Sequence, residues 1–261
     1  MTFKHIISRD NPVFKHLKKL AENARERRAE GQTLLDGVHL IESYCEVFGE
    51  PELIIIPEGK SSAEANALMQ QLEHVNTMML PTLMFAELTP VASSTGILAL
   101  VTIPKSWPHI APPDPINFAL MLEDIQDPGN LGSMLRTALG AGVQAVYLSK
   151  ACTDAWSPKA LRGGQGAQFL LPIIEGVDIV EAMQNFVGNT YATTLGGESL
   201  YAQDLTQPTA FVIGNEGAGL SDKVVQAATH QISIPMHQHL ESLNAAAAAA
   251  VCLFERKRQL S

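Results

Sequence analysis

The chain has 261 residues, 46% of them hydrophobic and 17% charged, with a formal net charge of −9. Such a composition supports a buried core and excludes a disordered or fibrous chain. The acidic balance weighs against a nucleic-acid partner, because phosphate neutralisation by Lys and Arg supplies most non-specific affinity.

The distribution of charge matters more than its total. Up to Gly31 the chain carries Lys4, Arg9, Lys15, Lys18, Lys19, Arg25, Arg27 and Arg28 against Asp10, Glu22, Glu26 and Glu30. From Pro12 to Glu30 the apolar Val13, Phe14, Leu17 and Leu20 recur at helical spacing, with Asn11 as N-cap candidate, Pro12 at the first position and Gly31 just past the end. One basic amphipathic helix is predicted there. Next come a strand at Thr33 to Leu35, a helix at Val38 to Phe48, a strand at Leu53 to Ile56 and a helix at Ala63 to Leu72. A strand at Thr77 to Leu80, a helical turn at Met84 to Leu88 and a strand at Ile97 to Ile103 complete a compact α/β unit over residues 1–104.

Five prolines between Pro104 and Pro115 rule out regular structure, and residues 105–116 read as a linker. Beyond it, strands at Phe118 to Leu122, Ala145 to Leu148, Thr190 to Thr194, Ala210 to Ile213 and Ile232 to Ile234 alternate with helices near Leu131 to Ala141 and Ser242 to Arg258. The expectation for 117–261 is a parallel sheet with helices on both faces, its ligand lying at the C-terminal strand ends.

Three loops in this second half carry the chemistry. Glu123 to Arg136 runs from a strand through Asp127-Pro128-Gly129 into a helix on which Gly132, Arg136 and Gly140 share a face. A phosphate or ribose can approach there, or the glycines serve helix packing and Arg136 a surface ion pair. Val212 to Asp222 holds three glycines after a buried strand, a cradle whose amides suit a nucleotide-like ligand. Its GxxGxG spacing and the lack of an acidic residue at the next strand end separate it from the dinucleotide fingerprint, so a nicotinamide-dependent oxidoreductase is disfavoured. Glu216 is either a functional acid or a brace for the loop. Ile234 to Asn244 enters the last helix with Ser242 and Asn244 in its first turn, where they cap the helix or meet a ligand. His237 and His239 lack a third ligand at useful spacing, so no metal is expected.

The order and wording of these loops resemble the three motifs of the SpoU/TrmH-like branch of the SPOUT RNA methyltransferases: DPGNLGSMLRTA, then FVIGNEGAGLSD, then IPMHQHLESLNAAAAAA. The resemblance implies methyl transfer from S-adenosylmethionine to a ribose 2′-hydroxyl of structured RNA, either rRNA or tRNA, with rRNA placed first. Its catalytic or RNA-facing positions fall on Arg136, Asn130, Glu216, Ser242 and Asn244. The implied cofactor crevice comprises Thr194, Leu195, Gly196, Gly214, Asn215, Glu216, Gly217, Ile234, Met236, Leu243 and Asn244. A trefoil knot and a homodimer through the C-terminal domain are implied as well.

NPVFKHLKKL, GQTLLDGVHLIE and STGILALV make the first half similar to the family's RNA-binding domain, whose fold is shared with kink-turn-binding ribosomal proteins. Lys18, Lys19, Arg27 and Arg28 on the basic helix, and Arg162 in SPKALRGGQGAQF, are its expected RNA contacts. Two positions depart from the family: Ala246 replaces a polar residue, and GGQ stands before Gly166 where a serine-containing triplet is usual. A guanidinium stays protonated and has no acceptor site to take a further proton, which favours a phosphate clamp over a base for Arg136. The rival reading is a non-catalytic RNA-binding or ribosome-assembly protein that keeps the fold.

Cys45, Cys152 and Cys252 are far apart and odd in number, without a CxxC pair, so neither a disulfide framework nor a zinc site is expected. The N-terminus lacks a signal peptide's apolar core, and the longest apolar run, Ala245 to Phe254, is too short for a bilayer. A cytoplasmic location without a membrane partner is expected.

Overall fold

The computed structural model describes residues 3–59, 61–89, 96–105, 114–237 and 242–261. The chain forms two compact units, and neither is a continuous stretch. The first comprises residues 1–106 and 154–169, the second 107–153 and 170–261. The prolines of the expected linker fall largely outside the described residues.

The first unit starts with β1 (Phe3–His5), α1 (Pro12–Glu22) and α2 (Ala24–Glu30). The single helix expected over Pro12 to Glu30 is therefore two. Asn23 breaks it at φ −125° and ψ 113°, and its side chain accepts hydrogen bonds from the amides of Arg25 and Glu26. A short polar side chain that bonds the backbone locally competes with helix continuation. Then follow β2 (Gln32–Asp36), α3 (Val38–Phe48), β3 (Leu53–Pro57), α4 (Ala63–Gln71), β4 (Thr77–Leu80), α5 (Thr82–Ala86) and β5 (Leu98–Thr102). The sheet order is β1-β4-β3-β5-β2, with β5 antiparallel to both neighbours and the other pairs parallel. Phe14, Leu17 and Leu20 of α1 close over Leu34, Ile55, Met78 and Leu98, the face that the apolar spacing of α1 foretold.

The second unit begins with β6 (Phe118–Leu122), α6 (Pro128–Ala141) and β7 (Ala145–Ser149). The chain then supplies α7 (Pro158–Gly164) and most of α8 (Ala167–Leu170) to the first unit. It resumes with β8 (Ile173–Val177), α9 (Ile179–Asn185), β9 (Asn189–Ser199), β10 (Thr209–Ile213), α10 (Asp222–Ala227), β11 (His230–Ser233) and α11 (Ala245–Gln259).

Every pair in the sheet β11-β9-β10-β6-β7-β8 is parallel. All five residues of β6 and of β10 are buried, the uniform pattern of strands covered on both faces. Ile179, Met183 and Val224 of α9 and α10 pack on Ala119, Met121, Ala210 and Val212. On alternating positions the Arg256 guanidinium of α11 lies 4.2 Å from the centre of the Phe118 ring. β9 runs past its expected end at Thr194, and its register with β11 jumps so that Gln231 pairs with Ala192 but Ile232 with Glu198. The intervening Thr193 to Gly197 bulge out at the carboxyl edge.

Candidate functional site

All three loops meet at the C-terminal ends of β6, β9, β10 and β11. Asp127 caps α6 by accepting from the Asn130 amide at 2.9 Å, and Pro128 occupies the first helical position, where no N–H is needed. That fixes Asn130 in the first turn, and its side chain joins two loops. Its Nδ2 donates to Glu216 Oε1 at 3.1 Å, while its Oδ1 accepts from Asn244 Nδ2 at 3.0 Å. Glu216 also accepts from the amides of Gln126 (3.1 Å) and Asp127 (3.2 Å). Partial burial works to raise its carboxyl pKa, but these hydrogen bonds, that of Asn130 foremost, outweigh burial and hold it below the usual range. Glu216 is thus an ionised acceptor at neutral pH.

Asn244, not Ser242, caps the last helix: its Oδ1 accepts from the amides of Ala246 and Ala247. Helix α11 therefore begins three residues later than expected, and Ser242 is exposed ahead of it. The family's polar residue at 246 is here an alanine, buried in the first turn and held through its amide alone. His237 is exposed, and His239 lies outside the described residues.

The glycine loop is shaped from within. Asn215 accepts from the amides of Gly217 and Ala218 and donates to the Asp124 carbonyl at 2.8 Å. Buried Glu123 accepts from both the amide (2.8 Å) and the hydroxyl (2.7 Å) of Ser221. A Cβ on Gly214 would stand 2.3 Å from the carbonyl carbon of Gly219, so only glycine fits there. Sequence reasoning passed over Glu123 and Gln126 as loop braces. An acid directly after five buried apolar residues was the available signal for Glu123.

A cleft of about 510 Å³, within the ~300–1,000 Å³ usual for small-molecule sites, opens among these loops. Of the expected cofactor residues, Thr194, Leu195, Gly214, Asn215, Glu216, Gly217, Ile234, Met236 and Leu243 line it; Gly196 and Asn244 do not. Ser242 lines it too, and Thr193, Leu220 and Ala248 are lining residues that the sequence did not single out. Thr194 Oγ1 is buried without a hydrogen-bond partner among the described residues. A buried hydroxyl left unpaired is costly unless a ligand completes it. That orphan, the crowded glycine backbone and the apolar Leu195, Ile234, Met236 and Leu243 fit a cofactor with a polar sugar or amino-acid end and a flat apolar base. A larger cleft of about 670 Å³ in the same unit, lined by Tyr147, Lys150, Asp178 and Phe186, receives none of the motif residues.

Arg136 stands apart. Six residues beyond Asn130, it lies about 9 Å further along α6 and on another face. It is exposed and makes no hydrogen bond or ion pair among the described residues. The two glycines that flank Arg136 differ: Gly132 packs in the interior, whereas Gly140 is exposed and a Cβ there would meet only the Phe254 ring at 3.9 Å. The Gly140 carbonyl accepts from Lys257 of α11.

In the first unit the basic helices differ from expectation. Arg27 is only 3% exposed: its Nε donates to Asp154 at 2.7 Å and its Nη1 to the Leu20 carbonyl. It cannot reach a phosphate from there, which removes it from the expected RNA contacts. Lys18 pairs with Glu87 at 2.7 Å and Lys19 with Glu26 at 3.5 Å, whereas Arg28 is exposed. Arg162, on α7, donates to Asp36. The GGQ segment ends this helix, with Gln165 left-handed at φ 49° and Gly164 packed where a Cβ would collide with Gln168.

Comparison with known proteins agrees with the geometry. Residues 117–254 match the SpoU rRNA methylase family. An uncharacterized tRNA/rRNA methyltransferase of Synechocystis is 34% identical, the match covering 97% of this chain and 93% of the relative. The 23S rRNA (guanosine(2553)-2′-O)-methyltransferase of Bacillus subtilis is 30% identical over 96% of this chain and 98% of its own. The crystal structure of the SpoU methyltransferase AviRb of Streptomyces viridochromogenes with AdoMet superimposes with a TM-score of 0.83 at 27% identity, covering 96% and 98% of the two chains.

Proposed function

Because this chain belongs to the SpoU rRNA methylase family, we propose that it methylates a ribose 2′-hydroxyl of ribosomal RNA at the meeting point of its three loops. It is a S-adenosylmethionine-dependent RNA methyltransferase. The observation that carries the site is the series Glu216, Asn130, Asn244, which ties one residue from each motif together beside a cleft containing the orphaned Thr194 hydroxyl. When bound, S-adenosylmethionine supplies a sulfonium-activated methyl group, a donor that requires no metal. Thr194, Leu195, Gly214, Gly217, Ile234, Met236 and Leu243 hold that cofactor, largely through their main chain.

A 2′-hydroxyl is a weak nucleophile until its proton is shared, so the site must both orient the ribose and take that proton. Asn130, pinned between Glu216 and Asn244, orients the ribose. Arg136 holds a backbone phosphate next to the reacting sugar and offsets developing negative charge. A water accepts the proton and passes it to solvent, with the exposed Ser242 hydroxyl as its hydrogen-bond partner. Asn244, its side-chain amide already committed to the Ala246 and Ala247 amides and to Asn130, serves to position.

The remoteness of Arg136 from Asn130 supports a homodimer through the second unit, in which Arg136 serves the partner's cleft. The exposed Ala247 and Phe254 on α11 beside α6 suit that interface. Membership of the family supports the trefoil knot. The first unit is the RNA-binding domain, of the kind found in kink-turn-binding proteins, with Lys18, Lys19, Arg28 and Arg162 as contacts. The three free cysteines suit the cytoplasm.

The test is transfer of labelled methyl to rRNA transcribed in vitro, followed by nucleoside analysis. A 2′-O-methylnucleoside is expected; a base-methylated product would sink the ribose assignment. Mixing Arg136→Ala with Asn244→Ala subunits should restore part of the activity that each lacks alone, and no recovery argues against a shared site.

A further inference from the structure

We infer that Asp36 is a positioning residue for RNA: from the end of β2 it holds the Arg162 guanidinium in place and leaves the remaining donors open to a phosphate. The inference rests on the reading of the first unit as RNA-binding. Two arginine–carboxylate pairs fasten residues 154–169 within that unit, and they are built differently. Arg27 and Asp154 form a closed pair, their side chains 4% and 5% exposed, with the Arg27 Nη1 also satisfied by backbone carbonyls. At 4% exposure that guanidinium is out of a ligand's reach.

The second pair is open. The Asp36 side chain is 1% exposed and accepts from Thr89 Oγ1 at 2.5 Å as well as from Arg162 Nη1 at 3.3 Å. Arg162 is 32% exposed, and its other guanidinium N–H groups make no hydrogen bond among the described residues. The buried Asp36 carboxylate has Thr89 among its other partners, so one long contact to a partly exposed arginine adds little to what offsets its burial. What the contact does achieve is direction. It restrains a long side chain before the ligand arrives, so less rotamer freedom is lost on binding, and a guanidinium held at one corner still offers a planar fork to a phosphate. Ser157 caps α7 by accepting from the Ala160 amide, and Thr33 Oγ1 bonds the Trp156 carbonyl. The helix that carries Arg162 is therefore itself fixed at its start.

The experiment measures binding of the full-length protein to unmodified 23S rRNA transcribed in vitro, without cofactor, across a salt series. It compares wild type, Asp36→Asn, Arg162→Ala, Arg162→Lys and the Asp36→Asn/Arg162→Ala double variant. Arg162→Ala should weaken binding by roughly five- to tenfold and lower the log–log salt slope by about one, the signature of one lost phosphate contact. Asp36→Asn should weaken binding several-fold in wild type and hardly at all once Arg162 is alanine. Arg162→Lys keeps the charge without the fork and leaves the half-exposed surface otherwise intact; it should bind nearly as poorly as alanine. S-adenosylmethionine affinity should be the same in all five proteins.

Additive losses in the double variant would mean that Asp36 acts only on the fold, and wild-type binding by Asp36→Asn or Arg162→Lys would equally overturn the inference. Because the readout is binding without methyl transfer, a failure of the ribose-methylation reading appears separately, as bound RNA that acquires no methyl group.

Discussion

The basic helices α1 and α2 and the motif helix α6 carry cations with opposite fates. In the first unit Lys18, Lys19 and Arg27 are each met by a carboxylate of the same unit, and Arg27 is buried with its partner. In the second unit Arg136 is exposed and unpaired among the described residues, although nothing in the local sequence marks it as freer than Arg27. The difference teaches that sequence reports the sign of a charge while the fold decides its availability. A stripe of lysine and arginine can be structural, and a lone arginine on an otherwise neutral helix can be the one left for a ligand.

The comparison breaks most readily at Arg27. Arg27→Ala leaves Asp154 buried without its partner and should cost about 3–5 kcal/mol in urea unfolding, with no specific effect on RNA binding by the protein that remains folded. Replacing both members by apolar residues of similar size should recover much of the loss. A mild effect of Arg27→Ala would show the pair to be dispensable. Arg136→Ala is the converse. Unfolding should stay within about 0.5 kcal/mol of wild type, S-adenosylmethionine affinity should hold, and methyl transfer should fall by at least about 100-fold, as for loss of one preorganised charge-stabilising group. Full activity would remove Arg136 from the mechanism.

Legibility followed the same division. Local signals read well: α3 and β4 occupy their expected residues, and Asn130 joins the first motif loop to Glu216 of the second and Asn244 of the third. Strand β8 went unread because it is a sheet edge of mostly exposed residues, IIEGV, with no alternating pattern. The break at Asn23 was hidden because asparagine is tolerable inside a helix, and only its bond to two amides ahead reveals the cap. The fate of Arg27 was beyond sequence reasoning altogether, since its partner is 127 residues away. The same holds for Arg162, which by chain order belongs among the strands of the second unit but is held by Asp36 of the first.

Smaller effects sharpen the comparison. Asn244→Ala removes both a helix cap and the bond to Asn130; the cap alone is worth about 1 kcal/mol of stability, and Ser242→Ala, which loses no cap, should leave stability unchanged. If the two variants unfold alike, Ser242 shares the capping. Neutralising Lys18 and Lys19 together should change the salt slope of RNA binding by less than about two, the value for two free phosphate contacts. A full change of two would mean that the pairs with Glu87 and Glu26 open when RNA binds.

The smallest effect expected is an acid-side one within α11, where the open and closed arrangements occur side by side. Arg256 is buried over the Phe118 ring, and that burial lowers its pKa. Arg258 is 70% exposed, yet it grips Glu255 through two N–H groups at 2.8 and 2.9 Å, with Gln259 adding a third donor at 3.0 Å. The Arg258 hydrogen bonds, and after them that of Gln259, bring the Glu255 carboxyl down to about 2 from an ordinary 4.5. A carboxyl depressed in the folded state binds its proton more readily when unfolded, so its contribution is complete above about pH 4.5 and disappears as the pH falls toward 2. Glu255→Gln should therefore show a shallower decline of urea midpoint than wild type across that window and converge with it at the acid end. Because Arg258 is largely in water, screening keeps the difference modest and salt should shrink it further. Parallel declines of the two proteins would mean that Arg258 grips Glu255 no more tightly in the folded chain than in the unfolded one, and that the closed arrangement at Arg27 depends on burial and not on geometry alone.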